Sequence, residues 1–240
     1  MATTQSKLAR GHPPPVRSFP GVTRNYFDGD VAAHYDESTT AEFDPEVIRA
    51  TVDVLVEFVG DGAALEFAPG TGRIALPLAA RGVPVAGIEF SPAMADRLRA
   101  KDDEHRVAVT IGDMTTTRVD GTFRLVYLVF NTIGNVETQE RQVACFRNAA
   151  AHLEPGGFFL IEVVVPDLRR LPPGEDARVF AHAPGYVGYD RYTDLVAQQA
   201  TSHHFYVTPS GVREERTPNE WGRAGSPSIR GGRKSTAARR

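Results

Sequence analysis

Three carboxylates follow or close three successive short apolar runs: Glu66, Glu89 and Asp113. Their placement sets the chemistry. The run Ala63–Ala68 feeds a tight turn, Pro69-Gly-Thr-Gly72, which opens a helix. Gly70 and Gly72 let the backbone approach a ligand that a Cβ would push away. The following helix aims free N–H groups at the same spot. On spacing alone, Gly70-x-Gly72-x-x-Ala75 fits a dinucleotide fingerprint. Glu66 argues otherwise, because a carboxylate beside a diphosphate repels it, whereas a cationic ligand gains from it. The second run, Val83–Ile88, ends in Glu89, 17 residues past Gly72. A carboxylate there can accept both hydroxyls of a ribose. The third run, Val107–Ile111, leads into Gly112-Asp113-Met114. Each acid also has a plain structural reading, as a turn or a solvated strand end.

Together these stretches resemble the class I S-adenosylmethionine-dependent methyltransferases of the small-molecule type. Ala64–Ala75 resembles that family's first motif, with Ala68 where the first glycine usually stands. Gly87-Ile-Glu-Phe-Ser-Pro-Ala-Met94 resembles its second-strand segment. The resemblance implies S-adenosylmethionine as cofactor. It places Glu66, Ala68, Gly70 and Gly72 at the methionine part and Glu89 on the ribose. Phe90 and Met94 would face the adenine, with Asp113 accepting from its exocyclic amine and Met114 adjoining. Phe130-Asn131 follows the fourth strand, where the family holds the transferred methyl. Asn131 would position the acceptor, and Tyr35 would belong to a lid. The Asp/Asn-Pro-Pro-Tyr/Phe motif of enzymes that methylate nucleic-acid amino groups does not occur there. An NAD(P)-dependent oxidoreductase is the lesser alternative.

The elements that must hold these residues follow from pattern. Asp44-Pro45 opens a helix to about Val59, with Val47, Ile48, Val52, Leu55, Val56 and Val59 on its apolar face. Ser91-Pro92 supplies an N-cap and an N1 proline for the helix after Glu89. Phe123–Val129 is a fourth strand, and Thr138–His152 a helix. Leu153-Glu-Pro-Gly-Gly157 breaks that helix, and Phe158–Val165 is a fifth, buried strand. The resemblance then implies an α/β fold: a doubly wound, mostly parallel Rossmann-like sheet with strands ordered 3-2-1-4-5, plus an appended antiparallel β layer.

Composition sets the outer bounds. The chain has 240 residues, enough for one α/β domain with extensions. It has one cysteine, Cys145, so no internal disulfide forms. No Cys/His/Asp cluster has metal-ligand spacing. No apolar run is long enough to span a membrane, and the N-terminus lacks a secretory signal core, which suggests a cytoplasmic protein. Ten of the 27 basic residues lie in residues 1–25 and 223–240, which contain no acid. The body between them is therefore strongly acidic and repels a phosphate backbone. The expected partner is a small-molecule acceptor, not nucleic acid or membrane. His34, His203 and His204 are base candidates without a marking spacing.

The domain division expected is 1–25 as a Pro-rich, disordered extension, 26–216 as the methyltransferase domain, and 217–240 as a disordered basic tail. Within the domain, 44–165 forms the cofactor core and 166–216 the layer over the acceptor. In the layer, Pro166–Gly188 reads as loop, and Asp194–Ser202, His203–Val207 and Val212–Arg216 as strands. The family's full sheet adds strands six and seven. Residues 217–240 are rich in Gly, Pro and Arg and supply no pattern for either, as a truncation or frame change would produce. A catalytically weak or inactive cofactor-binding protein follows as the alternative.

Overall fold

The computed structural model describes residues 25–27, 29–38, 43–163, 171–196, 198–209, 211–220 and 236–239. Chain order begins with α1 (Asp30–Ser38) and α2 (Pro45–Val59). The Asp44 carboxylate caps α2 by accepting from the Glu46 N–H, and Pro45 sits in its first turn. There follow β1 (Ala64–Phe67), α3 (Ala75–Ala80), β2 (Val85–Glu89), α4 (Pro92–Lys101), β3 (Val107–Ile111) and β4 (Phe123–Leu128). A 3-10 turn (Thr132–Asn135) leads to α5 (Gln139–His152) and β5 (Leu153–Ile161). Ser91 and Thr138 cap α4 and α5 through their hydroxyls.

Strands β3-β2-β1-β4-β5 pair in parallel in that order. The chain leaves β1 toward β2 on one side and reaches β4 on the other. The crevice for a ligand therefore opens at the carboxyl ends of β1 and β4, where the winding reverses. Alternate residues of each strand serve two cores. One face carries Ala64, Val85, Leu125 and Tyr127 against α2, α3 and Leu98 of α4. The other carries Leu65, Phe67, Ile88, Val126 and Leu128 against Cys145 and Ala149 of α5. All four residues of β1 are buried, as a central parallel strand requires.

A second sheet is antiparallel, ordered β6-β7-β8-β9: Ala177–Ala183, Tyr186–Asp194, Gln199–Thr208 and Gly211–Glu220. The layer is thus larger than its alternation suggested. The stretch taken as loop holds β6 and the start of β7, joined by a tight hairpin at Pro184-Gly185. Prolines and glycines at hairpin turns hid the short runs between them. The expected strand Asp194–Ser202 is instead the end of β7, a turn and the start of β8.

Three further expectations are corrected. Leu153–Gly157 does not separate helix from strand: β5 starts at Leu153, directly after α5, and absorbs the irregularity as a register shift against β4. Thr217–Glu220 do not belong to a tail, since they continue β9 against β8. Nor does the sheet end at β5. Thr236–Arg239 form β10 and pair antiparallel with Phe158–Ile161. An open strand edge presents a row of unpaired N–H and C=O groups, and backbone of any composition can satisfy them. β10 stands where the resemblance puts its antiparallel seventh strand. The expected disordered regions at 1–24 and 221–235 lie outside the described residues.

Candidate active site

The turn after β1 is built on left-handed backbone. Ala68, Gly70 and Gly72 have φ of 54°, 58° and 88°. Ala68 holds this conformation with a side chain, at a cost of roughly 1 kcal/mol. Gly72 has no such option. A Cβ there would lie 2.8 Å from Leu76 and 2.9 Å from Leu98.

Glu89 ties this turn to the next strand end. Its Oε2 accepts from the Gly70 N–H and its Oε1 from the Ser91 N–H, each at 2.8 Å. The Phe90 N–H also favours its charge. Burial pushes its acidity down, against the N–H bonds that favour the charge. Phe90, the next residue, is exposed at the strand end. Met94 is buried, and its methyl is the nearest atom to the space beside Gly70.

Glu66 occupies the floor. It is 2% exposed and accepts from the Tyr127 hydroxyl at 2.9 Å and from the Ala75 N–H. Tyr127 stands directly opposite it in the β1–β4 register. Burial pushes Glu66 up to about 8, opposed by Tyr127 and the nearby Arg73 guanidinium. It is therefore a carboxyl held largely neutral at pH 7, which a cation arriving beside it would ionise.

Asp113 lies just beyond β3. Its Oδ1 accepts from the Thr115 N–H at 2.8 Å and the Thr115 hydroxyl at 2.7 Å, and Oδ2 from Arg141 of α5 at 2.5 Å. Burial raises its pKa, but the Thr115 bonds and the Arg141 charge outweigh it and hold the carboxyl below its ordinary range. Met114 packs against the α5-side core.

Phe130 and Asn131, after β4, are both left-handed, with φ of 61° and 52°. Two consecutive non-glycine residues in that region mark a turn held by its surroundings. The Phe130 N–H donates to Glu162 Oε2 at 2.9 Å, and the Arg73 guanidinium lies 5.1 Å from its ring centroid. Strand β9 of the antiparallel layer packs against the adjoining 132–135 turn.

Tyr35 lies on α1, edge-on to Phe27 at 6.2 Å. Asp36 anchors this helix to the site. It accepts from the hydroxyl of Thr71, the residue between the two glycines, at 2.5 Å, and from Lys101 at 2.7 Å. The Ser91 hydroxyl donates to the Phe27 carbonyl at 2.5 Å. The segment ahead of α2 thus rests on the turns after β1 and β2. His34 is exposed on α1, while His203 and His204 are engaged within the layer by Glu214 and Tyr186. Among the described residues no group of His, Cys, Asp and Glu has the geometry of a metal site.

The sequence singled out the three acids and both glycines, and the structure sets them at or just beyond the carboxyl ends of the adjacent strands β1, β2 and β3. It missed Tyr127, Asp36, Thr71, Glu162 and Arg141. Thr71 had a signal, a hydroxyl between two turn glycines. The others are partners across sheet register or between helices, which one-dimensional spacing does not carry.

A parallel 3-2-1-4-5 sheet, a glycine turn over a buried acid and a buried carboxylate at the second strand end form an arrangement similar to that of S-adenosylmethionine-dependent methyltransferases. Residues 64–157 match the methyltransferase domain family. The chain is 31% identical over 142 residues to cypemycin N-terminal methyltransferase from a Streptomyces species. That match covers 58% of this chain and 57% of the relative, a little over half its length. Among solved structures, the CcbJ methyltransferase from Streptomyces caelestis is similar at a TM-score of 0.72 and 29% identity, over 82% of this chain and 81% of that one. CalS10, an amino pentose methyltransferase from Micromonospora echinaspora, shares the fold at a TM-score of 0.60 and 22% identity, over 83% and 85% of the two chains.

The residues fit the cofactor of this domain. Glu89 is a buried carboxylate fixed at the end of β2, Gly70 leaves space at the turn, and Glu66 offers a buried carboxyl that a cation would ionise. No described helix is long and apolar enough to cross a membrane.

Proposed function

We propose that the protein transfers a methyl group from S-adenosylmethionine to a nitrogen of a small-molecule amine. The observation that carries the cofactor part is the Glu89 carboxylate bridging the Gly70 turn and the Ser91 helix start. On this reading the carboxylate, fixed at the end of β2, is the acceptor for the ribose hydroxyls. The nitrogen acceptor is supported by the N-terminal methyltransferase relative and by the amino-sugar enzyme that shares the fold.

The cofactor supplies a methyl on a positive sulfur, already activated for in-line displacement. The chain's own residues bind, orient and dry the site. Gly70, Gly72 and Ala68 shape the backbone toward the methionine part, and Glu66 answers its positive charge. Glu89 holds the ribose hydroxyls. Phe90 and Met94 flank the adenine, with Met114 beside Asp113. The Phe130-Asn131 turn stands at the methyl, and Asn131 offers its side-chain amide to orient the acceptor. Tyr35 and α1 exclude water from the cofactor side. An amine attacks with its lone pair, so it needs no general base once unprotonated. The acidic body and the layer against the 132–135 turn favour a compact acceptor over a nucleic acid. A single buried cysteine accords with a reducing cytoplasm.

Incubation with methyl-labelled S-adenosylmethionine and a panel of small amines and matched alcohols tests this reading. Label on an amine product is the expected result. Label only on hydroxyl products overturns the nitrogen assignment. NADP binding without S-adenosylhomocysteine binding overturns the methyltransferase.

A further inference from the structure

Helix α5 grips the loop after β3 along one stripe. Arg141 bonds Asp113, and Asn148 donates to the Met114 and Thr117 carbonyls at 2.7 and 2.9 Å. His152 Nε2 accepts from the Val119 N–H at 3.1 Å. The residue next to Arg141 faces the other way: Gln142 donates to the Ile133 and Val136 carbonyls in the turn after β4. The start of α5 therefore fixes loops on both sides of the crevice. Asn148, His152 and Gln142 are buried, and the bonds just named go to backbone. Arg141 differs. It bonds a side chain that is still 22% exposed, at the strand end where a base would lie.

A carboxylate has about four acceptor directions. On Asp113, Thr115 fills both of those on Oδ1, and Arg141 takes one on Oδ2. One remains. The three donors come from a turn and a helix, so the carboxylate cannot rotate without breaking at least one charge-assisted bond.

We propose that Arg141 is a positioning residue for base discrimination: it fixes Asp113 Oδ2 so that one acceptor direction remains, which takes a purine's exocyclic amine and rejects a carbonyl in its place. The inference rests on Asp113 as the adenine contact. An amine at that point donates to the remaining direction. A carbonyl there sets two acceptors against each other, with no rotation available to relieve them. The lowered pKa of Asp113 fits this role, since the group stays an acceptor throughout the working pH range.

The test is calorimetric titration of the full chain with S-adenosylhomocysteine and with its deaminated analogue, S-inosylhomocysteine. The wild type should prefer the adenine ligand by about 30-fold, the scale of one mispaired polar contact. Arg141→Met should cut that preference by about fivefold or more, through weaker binding of the adenine ligand with the inosine ligand unchanged. Arg141→Lys should keep most of it, because an ammonium can still hold Oδ2. Equal losses for both ligands in Arg141→Met, or no change in either, overturn the role of Arg141. Asp113→Ala separates the two levels. If it leaves the preference intact, Asp113 does not read the base and the underlying reading falls. If it abolishes the preference while Arg141→Met retains it, only the role of Arg141 falls.

Discussion

The parallel sheet and the antiparallel layer place their charged groups by different rules. In the parallel sheet, the acids at the ends of β1 and β2 are buried and bonded to backbone N–H groups or a tyrosine, while Asp113 after β3 is partly exposed and adds Arg141 and the Thr115 hydroxyl. Glu66 and Glu89 are 2% and 5% exposed. In the layer, charges sit along the strands and pair with each other. Glu214 accepts from Arg216 at both oxygens and from His203 Nδ1. Tyr189 stacks on His203 at 4.7 Å, and Phe205 continues the row. Val179, Val207 and Val212 remain more than half exposed. A carboxylate fixed by backbone belongs to a site whose shape the fold sets. A carboxylate fixed by neighbouring side chains belongs to a surface that substitution can rearrange. The parallel half is therefore the part whose chemistry is most constrained, and the layer the part freer to vary.

Substitutions should separate the halves by the size of their effects. The largest is expected at Gly72, where φ is positive and a Cβ meets Leu76 and Leu98. Gly72→Val should destabilise the fold by more than about 4 kcal/mol, overpacking adding to backbone strain. Urea unfolding measures it, and a loss below about 1 kcal/mol would show a turn far softer than its contacts indicate.

Next comes the pH dependence set by Glu66. Its carboxyl ionises near its ordinary 4.5 when unfolded and near 8 when folded. The folded state therefore binds the extra proton across that window, and stability falls as pH rises through it. The stabilising contribution is fully present below 4.5 and gone above 8, roughly 5 kcal/mol in total. Glu66→Gln should flatten this fall in denaturant midpoints measured at both ends of the window. Binding of S-adenosylmethionine near neutral pH should release a proton from Glu66, visible as buffer-dependent heat. Heats that do not depend on the buffer would remove Glu66 from the cofactor's charge.

Glu89→Ala should weaken S-adenosylhomocysteine binding by roughly 2–4 kcal/mol, two charge-assisted bonds being lost. The Gly70 and Ser91 N–H groups also lose their partner. Unchanged affinity in a folded variant would reduce Glu89 to a brace between two turns. In the layer, by contrast, the Arg216 bonds and then His203 hold Glu214 down at about 2. It is largely solvated, so Glu214→Gln should move stability by less than about 1 kcal/mol despite that shift. A thermal melt showing a loss as large as that of Glu89→Ala in binding would erase the contrast between the halves.

Legibility in the sequence followed the same division. Strand ends, caps and the glycine turn of the parallel half were readable because each depends on neighbours within a few residues. Asp44, Ser91 and Thr138 cap their helices as their types and positions indicated. The layer was half legible. Its hairpin residues resemble loop when read singly, and strand character there comes from pairing with β7 or β8.

By itself the sequence determined the α/β class, where along the chain the site's strands fall and the three acids at their ends. Those features are local: a β-type run, a left-handed turn and a capped helix each follow from a few consecutive residues. Only the tertiary structure decided what each acid does. Register set Tyr127 across from Glu66, and the crossover of α5 carried Arg141 to Asp113. The open edge of β5 drew Thr236–Arg239 into the sheet, because unpaired backbone groups there gain a partner that composition does not foretell. Burial and long-range partners fix the protonation and orientation of a carboxylate, and neither is encoded in spacing along the chain.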